Sequence, residues 1–286
     1  MSTLVLLTLT GLGLGALYFL IASGLSLIFG LADVLNFAHG LFLGVGAYAT
    51  WWAARHWPFG VAVAVGVLAG TALAVAVELA LIRPLYARPI QQVLVTVGLA
   101  AAGVALLQAG WGADPLTFTK PGWTATTTRV LGAAVPNDRF LLIGAAIAVF
   151  ALLLLFLRRT RYGLVVRAGV EDRAMVTALG IDVRKAFTLV FAIGGAAAAL
   201  AGALAAMYFG SITPGLGGSL LIFAFIVVVI GGMGSITGCA LAAVLVGLVQ
   251  QFANYYAAAG VGEASVVLLL AVVLLVRPGG LTGRAS

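Results

Sequence analysis

Charge is what this chain has least of. Only 8 % of its 286 residues are Asp, Glu, Lys or Arg, against 63 % hydrophobic residues and a mean hydropathy of +1.21. A soluble domain carries roughly a quarter charged residues, so a water-facing surface cannot be built from this composition. The chain reads as an integral membrane protein. Cysteine is nearly absent: the single Cys239 excludes an internal disulfide and any multi-thiolate metal site, and its Gly/Ala surroundings make it a packed small residue. Lysine occurs only as Lys120, before Pro121, and Lys185, before Ala186, so a GxxxxGK[ST] phosphate loop cannot form. There are two histidines and eight carboxylates, mostly in loops, and no HExxH, CxxC or GxSxG. The reading is therefore non-enzymatic, with no catalytic residues, no metal and no cofactor of its own. Any ATP used must be hydrolysed on a separate chain. The pI near 10.1 does not indicate nucleic acid, because the basic residues sit in short loops between apolar runs.

Those runs are what the chain does have. An α-helical span needs about 20 apolar residues, and candidates lie at roughly 3–30, 40–54, 59–82, 90–111, 140–157, 187–209, 219–236, 239–258 and 262–276. The expected fold class is all-α: a single polytopic transmembrane helical bundle over 1–286, with about eight spans. GSITPGLGGS (210–219) and GGMGSITG (231–238) interrupt a stretch, 186–262, that holds no Asp, Glu, Lys or Arg. Broken or re-entrant helices are therefore expected, which a bilayer tolerates only where they are buried in protein or line a wet cavity. The opening MSTLVLLTLTGLGLGALYFL has no basic n-region and no clear cleavage site, and is read as a retained first span. GLFLG (40–44), GVLAG (66–70) and GSITG (234–238) are GxxxG patterns that together indicate closely packed helices.

Seven of the fifteen basic residues lie between Arg158 and Lys185. With Arg83 and Arg88 of IRPLYARP (82–89) and the tail after Arg277, they mark the cytoplasmic side by the positive-inside bias. The Thr/Pro/Gly-rich loop 112–139 is expected to face outward, and the side of the N-terminus is left open.

Polar groups at membrane depth are costly and hence functional candidates. Asp33, Asn36 and His39 fall between two apolar runs in FGLADVLNFAHG (29–40). On a helix they would share one side, as a substrate pathway; at an interface their polarity would cost little, and both readings stand. Glu78, about one turn before Arg83, is read as an interface residue paired to it. Gln91, Gln92, Thr96, Gln108, Gln250, Gln251 and Asn254 either line a polar path or, more commonly for such residues, hydrogen-bond between helices.

Within the basic stretch, EDRAMVTALGI (171–181) has the marks of a short helix. Glu171 and Asp172 sit in its first turn, favourable at the positive dipole end. Ala174, Met175, Ala178 and Leu179 form one apolar face, and Gly180 follows as a C-terminal cap. Such a helix cannot stand alone. It either lies on lipid or docks a soluble partner, and an ATP-hydrolysing partner would supply what the missing phosphate loop cannot.

GLSLIFGLADVLNFAHGLFLGVGAYA (24–49), EDRAMVTALGIDVRKAFTLVFAIGGAAAALAGAL (171–204), GGMGSITGCALAAVLVGLVQ (231–250) and LVRPGGLTG (275–283) resemble, in collinear order, the permeases of bacterial branched-chain amino acid ABC importers, and among them the H-type subunit. Leu41 departs from that pattern, where an acidic residue is common after NFAHG. The resemblance implies a multi-pass inner-membrane permease subunit of an ATP-driven, binding-protein-dependent importer of branched-chain or other small amino acids. It also implies four partners: a second permease, two cytoplasmic ATPases and an external solute-binding protein. By the same resemblance 158–186 is a coupling loop, with Glu171, Asp172 and Arg173 as polar contacts to the ATPase and Met175, Leu179 and Gly180 shaping its apolar seat. Relatives that import urea, amides or small carboxylates share these features. An ion-coupled secondary carrier is the reading of a different class; it would show internal repeats and midplane ionisable groups, whereas 186–262 is free of charge.

Overall fold

The computed structural model describes residues 2–32, 35–86, 88–171, 175–176, 183–258 and 260–282. Every apolar run read from the sequence forms a helix. α1 (Ser2–Ala32) is followed by α2 (His39–Ala53), α3 (Phe59–Val77) and α4 (Pro89–Trp111). After a one-turn helix, α5 (Gly122–Ala125), come α6 (Asn137–Arg159), α7 (Arg161–Glu171) and α8 (Val183–Phe209). α9 (Leu216–Gly231), α10 (Ile236–Tyr256) and α11 (Val261–Val276) complete the bundle. Among the described residues, six helices are long and apolar enough to cross a membrane: Ser2–Leu31, Phe59–Leu85, Pro89–Trp111, Asn137–Arg159, Arg184–Phe209 and Ile236–Tyr256. α2 and α9, with 15 and 16 residues, rise only about 22–24 Å, short of the roughly 30 Å hydrocarbon core.

α1 is the central post. Leu17, Leu20, Ile21 and Leu25 are completely buried, enclosed by α6, α8, α9 and α10. Small residues allow that enclosure. A Cβ on Gly15 would sit 2.6 Å from the carbonyl oxygen of Ala243, and one on Gly247 would sit 2.5 Å from the Gly11 oxygen. Bilayer lipid gives no hydrophobic drive between helices, so backbone approach of this kind is what holds α1 to α10. Gly247→Leu is therefore expected to force the two helices apart and cost about 3 kcal/mol, read as a lowered unfolding midpoint of the purified chain in detergent.

Of the three GxxxG patterns, 66–70 packs α3 against α2 and α8: a Cβ on Gly66 would meet the Gly46 oxygen at 2.6 Å, and one on Gly70 the Phe42 oxygen at 2.9 Å. GSITG is a turn rather than a packing face. Gly234 has φ +82°, a left-handed conformation that suits glycine, and Ser235 caps α10 by accepting from Gly238 N at 3.1 Å.

The basic segments gather at one end of the bundle. Tyr86, from the loop after α3, packs its ring at a tilt against Phe187 at the start of α8 (4.3 Å between centroids). Leu281 N donates to Ile230 O at the end of α9, and a Cβ on Gly169 of α7 would touch Leu31 at the end of α1. Loop 112–139 lies at the other end with the start of α1, where Gly13 abuts Arg139. It carries a small hairpin, β2 (Thr127–Val130) with β3 (Ala133–Pro136), turned by Leu131 and Gly132 at positive φ. Its first strand, β1 (Leu116–Thr117), pairs antiparallel with β4 (Ser211–Ile212) in the register Leu116↔Ile212. This pairing fixes where the chain re-enters before α9.

Glu78 does not pair with Arg83. It is fully buried in a π-helical turn, Glu78–Ile82, that extends α3. Its Oε1 accepts from Tyr86 Oη and its Oε2 from Thr188 Oγ1 at 2.8 Å. The widened turn shifts the side-chain register that an α-helical spacing assumes, so the carboxylate ties α3 to α8 instead.

Candidate translocation site

α1 carries the chain to the basic end, yet α2 does not start there. Its first residue, His39, lies level with Ile21, eleven residues back along α1, where His39 Nε2 meets Ile21 O at 3.1 Å. At 1.5 Å per residue that is about 16 Å into the bundle. Residues 35–38 return to this depth without helical structure. The NFAHG turn ends the return: Asn36 Oδ1 accepts from Ala38 N at 3.1 Å, and Asn36 O accepts from His39 N at 3.2 Å. An Asn side chain bonded two residues on is a local turn device, here setting the start of α2.

α9 begins at the same place from the other direction. After β4, Thr213–Gly215 lead into Leu216, and the N-termini of α2 and α9 touch through glycines. A Cβ on Gly40 would lie 2.8 Å from the Gly217 oxygen, and one on Gly217 would collide with Gly40 O. Among the described residues, the backbone N–H groups of Gly40, Gly217 and Gly218 donate to no carbonyl. They are the orphan donors of a helix start, and two positive dipole ends converge where they lie.

Beside this junction is a cavity of about 230 Å³ between α2, α4 and α9. Its wall is apolar: Phe37 and Leu41, Val97 and Val104, Ile222 and Phe225, with the Phe37 and Phe225 rings 5.2 Å apart. Leu41 packs against Gly103 of α4; an acidic residue at that position would place a carboxylate in the wall, and leucine keeps it free of charge. Thr96, buried on α4, accepts from Phe37 N at 3.4 Å.

Two of the residues singled out from the sequence, Asn36 and His39, border this junction. Both are buried, and among the described residues Asn36 Nδ2 and His39 Nδ1 find no hydrogen-bond partner. An unmet polar atom in a dry interior costs about 1–3 kcal/mol, so this turn holds unused hydrogen-bonding capacity. Asp33 lies outside the described residues, as do Asp172, Arg173, Leu179 and Gly180. Glu171 is the last residue of α7, and Met175 is 63 % exposed.

The other polar candidates divide. Gln250 bridges three helices: Tyr18 Oη donates to its Oε1 at 2.7 Å, and its Nε2 donates to Glu263 Oε1 at 3.1 Å. Asn254 Oδ1 accepts from Gly260 N and Gly262 N, fastening the start of α11. A charged knot at the end opposite the basic loops was not singled out from the sequence. Buried Asp138 binds Lys120 Nζ at 2.9 Å, and the Arg139 guanidinium stacks 3.6 Å over Tyr208. Its only sequence signal is an Asp-Arg pair heading the apolar run 140–157.

Long apolar helices around two shorter helices whose N-terminal ends meet in the interior define a multi-pass membrane protein with a broken-helix centre. The whole length of that architecture has a family counterpart. The chain belongs to the family described as branched-chain amino acid transport system / permease component, whose model matches residues 7–277. It is 28 % identical over 289 residues to the high-affinity branched-chain amino acid transport system permease protein LivH of Salmonella typhimurium, covering 96 % of this chain and 94 % of the relative. It is 29 % identical over 288 residues to the corresponding protein BraD of Pseudomonas aeruginosa, with the same coverage. A shorter match, 46 % identical over 77 residues, covers 25 % of this chain and 23 % of the autoinducer 2 import system permease protein LsrD of Salmonella paratyphi B. No solved structure matches the chain.

Proposed function

We propose that this chain is one permease subunit of an ATP-driven importer in the cytoplasmic membrane, passing branched-chain amino acids delivered by an external binding protein. The observation that carries the proposal is the meeting of α2 and α9 at Gly40 and Gly217 beside the apolar cavity. Broken helices with free N-terminal amides suit the carboxylate of an amino acid, and an aliphatic wall suits its side chain. Two relatives matched over 96 % of the chain carry branched-chain amino acid transport in their names, which supports this substrate class. Asn36 and His39 then border the path with hydrogen-bonding capacity to spare, and Asp33 would join them as a third polar group of that path.

In this reading the basic end is cytoplasmic, by the positive-inside bias. The segment 171–181 seats in a cleft of an ATPase, with Glu171, Asp172 and Arg173 as polar contacts and Met175, Leu179 and Gly180 forming the apolar part. A second permease and two ATPase subunits complete the transporter.

The test is a mild-detergent pull-down of the tagged chain from native membranes, followed by uptake assays in proteoliposomes holding the recovered complex. The expected result is a second permease and phosphate-loop ATPases in the eluate. Uptake of leucine, isoleucine or valine should require both ATP and the binding protein. Recovery of the chain alone, with uptake that follows an ion gradient, would overturn the importer and leave a secondary carrier.

A further inference from the structure

The corner where α6 turns into α7 has features that the transport path does not use. Arg158 and Arg159 close the last turn of α6, and Arg161 and Arg167 lie on α7. All four are exposed, and none forms an ion pair or hydrogen bond among the described residues. Like charges gathered on one short stretch of chain repel one another, and an anion would relieve that. α7 is sharply two-sided. Gly163, Val166 and Gly169 are buried, with Gly163 pressed against the Phe156–Leu157 backbone of α6 and Gly169 against Leu31. Yet Tyr162 and Leu164, 46 % and 59 % exposed, stand among the arginines. An amphipathic helix that mixes exposed apolar groups with arginine is suited to the boundary between headgroups and acyl chains. The flank of α6 leading into this corner is exposed and apolar as well, through Leu152 and Leu155.

Under α7 lies a cavity of about 200 Å³ lined by Ser26 and Gly30 of α1, Leu157 of α6, Val166 and Arg167 of α7, and Gly234 of the turn before α10. Arg167 is the one charged group in its wall. Ser26 is completely buried there, and among the described residues its Oγ makes no hydrogen bond to nitrogen or oxygen. The Cys239 sulfur beside it takes this hydroxyl as a donor, but sulfur is a weak acceptor, so an oxygen acceptor would compete for the proton. A weakly engaged donor and a cation in one otherwise apolar pocket call for an anionic acceptor.

We propose that this pocket holds the phosphate of an anionic phospholipid from the leaflet at the basic end of the bundle. Arg167 supplies the counter-charge and Ser26 the hydroxyl donor. Arg158, Arg159 and Arg161 raise the local positive potential, and Tyr162 and Leu164 rest against the acyl chains. Basic pockets between transmembrane helices on the cytoplasmic side are suited to such headgroups, and the exposed apolar residues favour a tailed ligand over a free anion. Occupancy would clamp α7 between α6 and α1, just ahead of the segment 172–182.

The test uses the full chain purified in detergent, with its unfolding midpoint followed on adding dioleoylphosphatidylglycerol, dioleoylphosphatidylcholine or glycerol 3-phosphate. Phosphatidylglycerol is expected to raise the midpoint by roughly 3 °C, and the other two to leave it unchanged. Arg167→Gln, an exposed side chain, should keep the lipid-free midpoint and lose the shift. Ser26→Ala, which keeps all four arginines, should reduce it. Equal stabilisation by the two lipids, or a full shift retained in Arg167→Gln, would overturn the proposal. Stabilisation by glycerol 3-phosphate alone would replace the lipid with a soluble anion. If Arg167→Gln kept the lipid shift but lost co-purification of the ATPase, the corner would be a protein-docking surface instead.

Discussion

Gly218→Leu is expected to fold, insert and assemble normally while uptake falls by more than about tenfold, a barrier increase of at least about 1.4 kcal/mol. Gly218 lines the cavity at the start of α9, and a Cβ built on it meets nothing within 4 Å. A leucine there enters open space, so the bundle has no reason to shift. It would fill part of the roughly 230 Å³ beside the junction of α2 and α9 and cover the free Gly218 amide. The neighbouring glycine provides the contrast. At Gly217 even a methyl group would collide with the Gly40 carbonyl, so Gly217→Ala is a packing lesion that lowers stability together with transport. Measured side by side in proteoliposomes, with unfolding midpoints for each, the two variants separate a blocked path from a damaged scaffold. Uptake at the wild-type rate in Gly218→Leu would show that the cavity is only a seam for lipid or a neighbouring subunit, and the path would have to be sought elsewhere.

The helices were legible from sequence because apolar length is a strong signal, and boundaries such as 90–111 against Pro89–Trp111 moved by a residue. Depth was not legible. The run at 40–54 looks like any other apolar stretch, and nothing local to it says that it starts about 16 Å inside the bundle. That information lies in the His39–Ile21 contact and in the pairing of β1 with β4, both of which join segments distant along the chain. The break at GSITPGLGGS was legible from its glycines and proline, but its meeting with Gly40 was not. Polar side chains behaved similarly. Arg83 was the natural partner for Glu78 by spacing, and it lost to Tyr86 and Thr188 because a π turn changed the register and another helix supplied the hydroxyl. By sequence NFAHG fits either a helical face or an interface segment; it is a turn running into the start of α2, in which Asn36 bonds locally and His39 reaches back to α1.

The second large effect is expected at Leu179. Met175 is 63 % exposed and its neighbour Val176 is 4 % exposed, so at this point the chain has one side against the bundle and one side outward. On the short helix expected from the sequence, Leu179, four residues beyond Met175, would share its face and give an apolar patch of the kind a partner's cleft would cover. Truncating a centrally packed interface residue costs roughly 2–4 kcal/mol, and an aspartate adds the desolvation of an unpaired charge. Leu179→Asp should therefore abolish uptake and strip the ATPase from the purified complex while the chain still inserts in normal amount. Leu179→Met, close in volume and apolar, should retain both activities. If Leu179→Asp left ATPase assembly intact, the segment would not be the seat of the motor, and the arginines on either side of it would be topological anchors alone. If insertion itself failed, Leu179 would belong to the membrane-embedded packing. Loss of the ATPase with insertion preserved is the outcome that ties the basic stretch, the missing phosphate loop and the exposed Met175 to one cause: the energy for this permease arrives from another chain through this surface.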